Sequence, residues 1–228
     1  MTTLPETMTA IEIQGKGGPE VLAPARIGVP QTFVASIEHT AETLTAFAQA
    51  VILLQHLGAE IVDIDPDGLA ESHDAGSLII RAEAYRYHRA TLEREPNKLS
   101  VNLRARFAKA HLVTDDQVTA ARRAMQRLRQ SVSALFAEGL TAIVNPARER
   151  PAQTMAELVA DPLGKRSLAL RMYSVTGHPA LVLPMGFTQS GLPLGLQIAA
   201  AHQREDLVYQ IADAYEQSAG WWLRRPEP

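Results

Sequence analysis

The chain of 228 residues contains no cysteine. That excludes disulfides, thiolate catalysis and cysteine-ligated metal sites, and it fits a reducing compartment. No apolar run approaches the roughly 20 residues of a membrane span. Met1 to Glu12 lacks a basic region followed by an apolar one, so no signal peptide is indicated, and a cytoplasmic location is the default expectation. The chain also lacks a strong excess of either charge. A net charge of -3 gives no electrostatic reason to expect nucleic acid or an anionic membrane. With 46% hydrophobic and 21% charged residues, the composition is that of an ordinary globular protein.

Motifs that carry chemistry are equally sparse. The histidines His39, His56, His73, His88, His111, His178 and His202 form no His-x-His or His-Glu-x-x-His pattern, so no metal is expected. There is no Gly-x-Ser-x-Gly elbow and no Ser-x-x-Lys. Ser167, Ser174 and Ser190 lie in loop-like stretches, but nothing in the sequence supplies any of them with a base. The adjacent acids Asp63/Asp65, Asp115/Asp116 and Glu205/Asp206 read as strand-end or helix-start charges.

What is present is a regular alternation of strands and helices. Residues 1–25 are rich in Thr, Pro and Gly and read as an irregular leader, with a short strand at Ile11-Glu12-Ile13 and a turn at Gly17-Gly18-Pro19. Residues 26–228 read as one α/β domain. Arg26–Val29 reads as a strand. A helix N-capped by Thr40 runs to about Leu57, with Leu44, Phe47, Val51 and Leu54 on one face. Gly58 serves as its C-cap, and Ile61–Ile64 is the next strand. Such a unit implies parallel neighbours and a right-handed crossover.

Residues 72–138 read as helical. Thr114 and Gln117 have the spacing of a capping box. The stripe Val118, Ala121, Met125, Leu128, Val132 and Leu135 favours a helix packed on a sheet over a coiled coil. Arg122, Arg123, Arg127 and Arg129 then form a solvated face. Residues 141–145 read as a buried strand and 146–161 as a loop. Strands at 181–187 and 194–200 flank a turn, with Pro184 demanding an edge or a bulge. The last helix spans about 204–218, with Leu207, Ile211, Ala212 and Tyr215 inward, and ends near Gly220.

Two resemblances follow from particular residues. Met8–Ile13 with Gly17–Leu22 is similar to the first strand of quinone reductases of the medium-chain dehydrogenase type. That similarity covers under twenty residues, and no Gly-x-Gly-x-x-Gly loop follows it. The second resemblance covers most of the chain. Arg26–Pro30 with Leu57–Val62, then Glu83-Ala84-Tyr85 and Arg104–Phe107, then Thr176–Phe187 with Gly191–Ile198 and Arg204–Leu207 resemble the C-terminal half of amidase-signature enzymes. The fold this implies is α/β: a partial mixed sheet flanked by helices.

The reaction it implies is hydrolysis of carbon–nitrogen amide bonds by a Ser–Ser–Lys triad. In that chemistry a neutral lysine takes a proton through the bridging serine, and backbone N–H groups hold the oxyanion. The lysine, both serines and their Gly/Ser-rich loop belong to the half that precedes the matching one. Lys16, Lys98, Lys109 and Lys165 match no family position, so no catalytic residue can be assigned and no cofactor is expected. Arg171, Ser174, Thr176, Gly177 and His178 fall in the segment that runs beside the family's cleft, and the resemblance implies that they line the substrate. The family usually has Asn where Ser174 stands. Without the signature strands, strands here are expected to lack neighbours. The partners implied are a small amide substrate and an N-terminal amidase half, or self-association through strand edges; neither nucleic acid nor membrane is expected. Four readings stay open: an amidase fragment inactive alone, a non-catalytic subunit completing a split amidase, an independent serine hydrolase with a relocated nucleophile, and an oxidoreductase.

Overall fold

The computed structural model describes residues 22–160 and 171–224. The expected strand at 11–13, the turn at 17–19, Lys16, Lys165 and Ser167 lie outside them.

The first unit forms for the reasons its sequence suggests. Strand β1 (Arg26–Val29) pairs in parallel with β2 (Glu60–Asp63), Ile27 opposite Ile61. Between them runs helix α2 (Ala41–His56), preceded by a one-turn helix α1 (Gln31–Ser36) that the sequence reading did not contain. Thr40 caps α2 by accepting the N–H of Thr43 at 3.3 Å. At the other end Gly58 takes φ 96°, which lets Ala59 N return to the Leu54 carbonyl. The buried face of α2 is rotated from the expected one. Thr43, Ala46, Phe47, Ala50 and Leu54 point inward, and Leu44 remains 43% exposed. Alanines carry the close approach to the sheet, a pattern that counting large side chains does not detect.

The expected continuous helical region is divided. Helix α3 (Leu69–Arg94) stops where Pro96 follows. Helix α4 (Val101–Phe107) restarts on a Ser100 cap, and α5 (Asp115–Ala137) starts from the capping box of Thr114 and Gln117. Ala121 and Ala124 of α5 pack on Ala75 and Ile79 of α3. Leu128 and Val132 pack on Ile143 of the sheet. Arg122, Arg123, Arg127 and Arg129 are exposed, as expected, with Arg122 paired to Glu83 and Arg127 to Glu71.

Strand β3 (Ala142–Pro146) is buried at every residue. The span 146–161 is not all loop. Thr154 N donates to the Glu157 carboxylate while Glu157 N returns to Thr154 Oγ1, a capping box that starts α6 (Met155–Ala160). Helix α7 (Arg171–Thr176) leads into the hairpin of β4 (Ala180–Phe187) and β5 (Pro193–Ala199), and α8 (Glu205–Ala219) closes the described chain. Ile211, Ala212 and Tyr215 of α8 are buried as expected, and Leu207 is half-buried.

The described strands form one mixed five-stranded sheet in the order β2-β1-β3-β5-β4. Helices α2 and α8 cover one face, with Phe47, Leu54, Ile211 and Tyr215 against Val144, Leu196 and Ile198. Helices α5 and α7 cover the other face with Leu128, Val132, Met172 and Tyr173. Leu22 also belongs to the first core. No described strand is left without a neighbour, contrary to that expectation. Among the described strands the sheet edges are β2 and β4.

At β4 both devices expected of Pro184 occur: the strand is an edge, and its register shifts between Pro184 and Gly186. Ala147 N donates to Gly195 O at 2.7 Å, so the polar backbone groups of Gly195 face β3. Pro184, opposite Gly195, therefore turns its backbone nitrogen to the open edge.

Leu128 is fully buried at the junction of α5 and the sheet, whereas Leu44 faces water. Leu128→Ala should cost about 3–4 kcal/mol of unfolding free energy and Leu44→Ala under about 1 kcal/mol. Urea denaturation of the two variants measures this; equal losses would contradict the packing described.

Candidate functional site

Open α/β sheets place ligands outside the carboxyl ends of their parallel strands. At that end of β1 the chain turns through α1 and returns at His39 and Thr40. At that end of β3 it continues through Ala147, Arg148, Glu149 and Arg150. Thr40 N donates to the Glu149 carbonyl at 3.0 Å and ties the two loops together. Glu149 is buried, and His39, His73 and Arg171 around it are half-buried. His39 precedes α2, His73 lies on α3 and Arg171 opens α7. Nη1 of Arg171 donates to Ser77 Oγ, which fixes the guanidinium against α3.

The electrostatics of this corner are mixed. Burial lowers the pKa of His39, and the Glu149 charge opposes it without overcoming it. Burial also lowers His73, the Arg171 guanidinium lowers it further, and Asp74 and Glu149 oppose both. Nδ1 of His73 is buried without a hydrogen-bond partner. The corner therefore sets two imidazoles biased toward their uncharged form beside the side chains of Glu149 and Arg171. Such a set can orient a carbonyl or carboxylate and exchange protons with it. Among the described residues no group of three or more His, Asp or Glu is arranged to hold a metal ion.

A buried polar network underlies the corner. Asn145, fully buried in β3, accepts from the Tyr173 hydroxyl at 3.0 Å. Its amide donates to Gln197 Oε1 at 3.2 Å and to the Pro146 carbonyl at 2.8 Å. Burial raises the Tyr173 pKa well above its ordinary value, so the phenol stays protonated as the donor.

The structure divides the five residues expected to line a substrate. Arg171 lies in the corner with Glu149. Ser174 is exposed on α7, one residue after buried Tyr173. Thr176 is buried at the helix end, and Gly177 takes φ 75°, the left-handed turn that glycine tolerates. His178 then points the other way. It precedes β4, and His202 follows β5, so this pair sits at the amino end of β3, opposite Glu149. Their rings stack at 4.0 Å, and Phe136 lies 5.3 Å from His178. Burial, His202 and Arg129 push the His178 pKa down to about 4. Ser133 Oγ is 3.5 Å from its Nε2.

His39, His73, Glu149 and the Asn145–Tyr173–Gln197 network did not emerge from the sequence. One signal was available: a lone Asn in an otherwise apolar buried strand requires partners. Glu149, between Arg148 and Arg150, gave no such signal.

Solved structures show the same architecture. A 6-aminohexanoate cyclic dimer hydrolase complexed with substrate superposes with a TM-score of 0.73 at 24% identity, over 90% of this chain and 47% of that one. A glutamyl-tRNA(Gln) amidotransferase subunit from Thermotoga maritima gives 0.70 at 19% identity, over 88% and 44%. The fold is thus that of amidase-signature enzymes. In sequence, the corresponding glutamyl-tRNA(Gln) amidotransferase subunit of Synechococcus elongatus is 28% identical over 251 residues, 97% of this chain and 52% of that one. The Amidase family model matches residues 14–209, and the chain belongs to that family. It spans about half the length of the curated relatives it matches. No described helix is long and apolar enough to cross a membrane.

Two measurements test the geometry. Tyr173→Phe strands the Asn145 acceptor and should cost about 1–3 kcal/mol in chemical denaturation; no loss would mean that the hydroxyl contributes nothing. The lowered pKa of His178 disfavours its charged form in the folded state. Its contribution is therefore complete above the unfolded value of 6.5 and is lost as pH falls toward about 4. Thermal melts from pH 7 to 4 should show this decline, and it should flatten in His178→Phe. An unchanged slope would place the acid sensitivity elsewhere.

Proposed function

We propose that this chain supplies one half of an amide-hydrolysing enzyme: the part that closes the sheet and walls the substrate cleft, without an activated nucleophile of its own. Membership of the Amidase family supports the reaction class. The nucleophile comes from sequence corresponding to the rest of the relatives' length, and the Ser–Ser–Lys apparatus implied by the resemblance would sit there. At the carboxyl end of the parallel strands the wall includes Arg171, the Thr176–His178 turn lying at the other end of the sheet, and the substrate is a small amide. The open edge of β4 is a surface where the complementary half or a second copy can join the sheet. The absence of cysteine favours the cytoplasm as the setting.

The observation that carries this reading is the occupation of six of the nine described serines. Ser36 and Ser72 donate to the carbonyls of Phe33 and Leu69. Ser100 caps α4, Ser131 accepts from Asp67 N, Ser77 accepts from Arg171, and Ser190 bonds to Thr188. None of these partners is a base.

A second reading, an independent serine hydrolase, rests on Ser133, which alone among the described serines has a hydrogen-bond contact with an imidazole. Its geometry is poor for the task. The contact is 3.5 Å, the partner's pKa of about 4 makes it a weak base, and the other ring nitrogen of His178 has no carboxylate behind it.

Fluorophosphonate labelling of the folded chain, read by intact mass, separates the two readings. The half-enzyme reading expects no adduct in a sample that melts cooperatively. A stoichiometric adduct lost in Ser133→Ala would instead establish the independent hydrolase.

A further inference from the structure

A cavity of about 540 Å³ lies between α3, α4 and the start of α7. Four cations line it: Arg81 from α3, Arg106 from α4, Lys109 just beyond α4, and Arg171. Leu103 and Phe107 supply apolar surface, and among the described residues no Asp or Glu lines it. Acids close by in sequence are directed elsewhere. Glu83 pairs with Arg122, Glu93 with Arg89 and Glu95 with Lys98.

The surroundings reinforce this charge. Residues 81–130 hold twelve Lys and Arg against five Asp and Glu, while the rest of the chain holds ten against twenty. The net charge of -3 is thus an average over a basic helical arm and an acidic body. A concave site lined by one sign of charge raises the local concentration of the opposite ion.

We propose that this cavity binds an organic anion: a carboxylate or phosphate head held by the guanidinium groups of Arg81 and Arg171 with the Lys109 ammonium, and an apolar body against Leu103 and Phe107. Its volume suits a small ligand with a few convergent polar groups. Planar guanidinium groups match both oxyanions bidentately. Arg171 is already oriented by Ser77, so little side-chain freedom is lost when the anion arrives. The same arginine acts on His73 beside Glu149, so the bound anion lies next to the corner at the carboxyl end of β3. The free acid of a metabolite and the anionic end of a larger substrate share this chemistry. The inference holds whether or not the chain takes part in amide hydrolysis, because binding is read without turnover.

Calorimetric titration of the purified chain with hexanoate, phenyl phosphate, inorganic phosphate and neutral hexanamide tests it. Hexanoate or phenyl phosphate should bind saturably at one site and weaken as sodium chloride is raised. Hexanamide should not bind, and inorganic phosphate should bind more weakly than phenyl phosphate. Arg81 and Lys109 are both exposed, so Arg81→Gln with Lys109→Gln should keep the melting temperature and weaken the anion about tenfold. Which anion binds more tightly identifies the head group. The proposal fails if neither organic anion binds, if hexanamide binds equally well, if inorganic phosphate matches phenyl phosphate, or if the double variant binds as the parent does.

Discussion

The hydrogen bond from the Tyr173 hydroxyl to Asn145 crosses from helix to sheet in the deepest part of the molecule. Asn145 sits in a strand buried at all five residues, parallel to β1 on one side and antiparallel to β5 on the other. A buried amide there is tolerable only with its oxygen and nitrogen both engaged. Tyr173 takes the oxygen and Gln197 receives the amide, so α7, β3 and β5 are locked by one side chain. The direction of α7 then follows. It carries Arg171 toward the loops after β1 and β3 and leaves His178 at the opposite end of the sheet. The two chemically distinct corners lie at opposite ends of the strands that this contact ties to α7.

Elements specified by local rules were legible in the sequence. The Thr40 cap, the Thr114–Gln117 box, the apolar stripe of α5 and the demand placed by Pro184 each depend on residues within a turn or two of one another, and each appears as expected. The resemblance of the final hairpin to amidase-signature enzymes carried the architecture. The failures have physical causes as well. The inward face of α2 uses Thr43 and small alanines, which hydrophobic periodicity undercounts. Helix α6 starts from a capping box at Thr154 and Glu157 that was readable but lay inside a proline- and arginine-rich stretch. The strands keep their neighbours because β3 and β5 pair directly, a long-range fact with no local signature.

The chemistry was less legible than the fold. His39, His73 and Glu149 are widely dispersed in sequence, and the bond from Thr40 N to the Glu149 carbonyl holds the His39 and Glu149 loops together. Burial lowers the pKa of the two histidines, which no spacing rule reports. The basic arm was hidden for a different reason. Summation over the whole chain cancels a local excess of cations against an acidic body, and the net charge then suggests an electrostatically bland protein. Within the arm, ion pairs engage Arg122 and Arg127, and other cations line the cavity beside α4.

The orientation of Pro184 sets a limit on growth of the sheet. On the open side of β4, Ala180 and Val182 present their N–H groups, but the next outward position is an imino nitrogen with nothing to donate, and the register shifts immediately after it. A strand arriving from another molecule finds a template only a few residues long before the pattern breaks. The edge geometry thus disfavours an extended ladder. Joining is thereby separated from polymerisation, and a single imino acid draws that line.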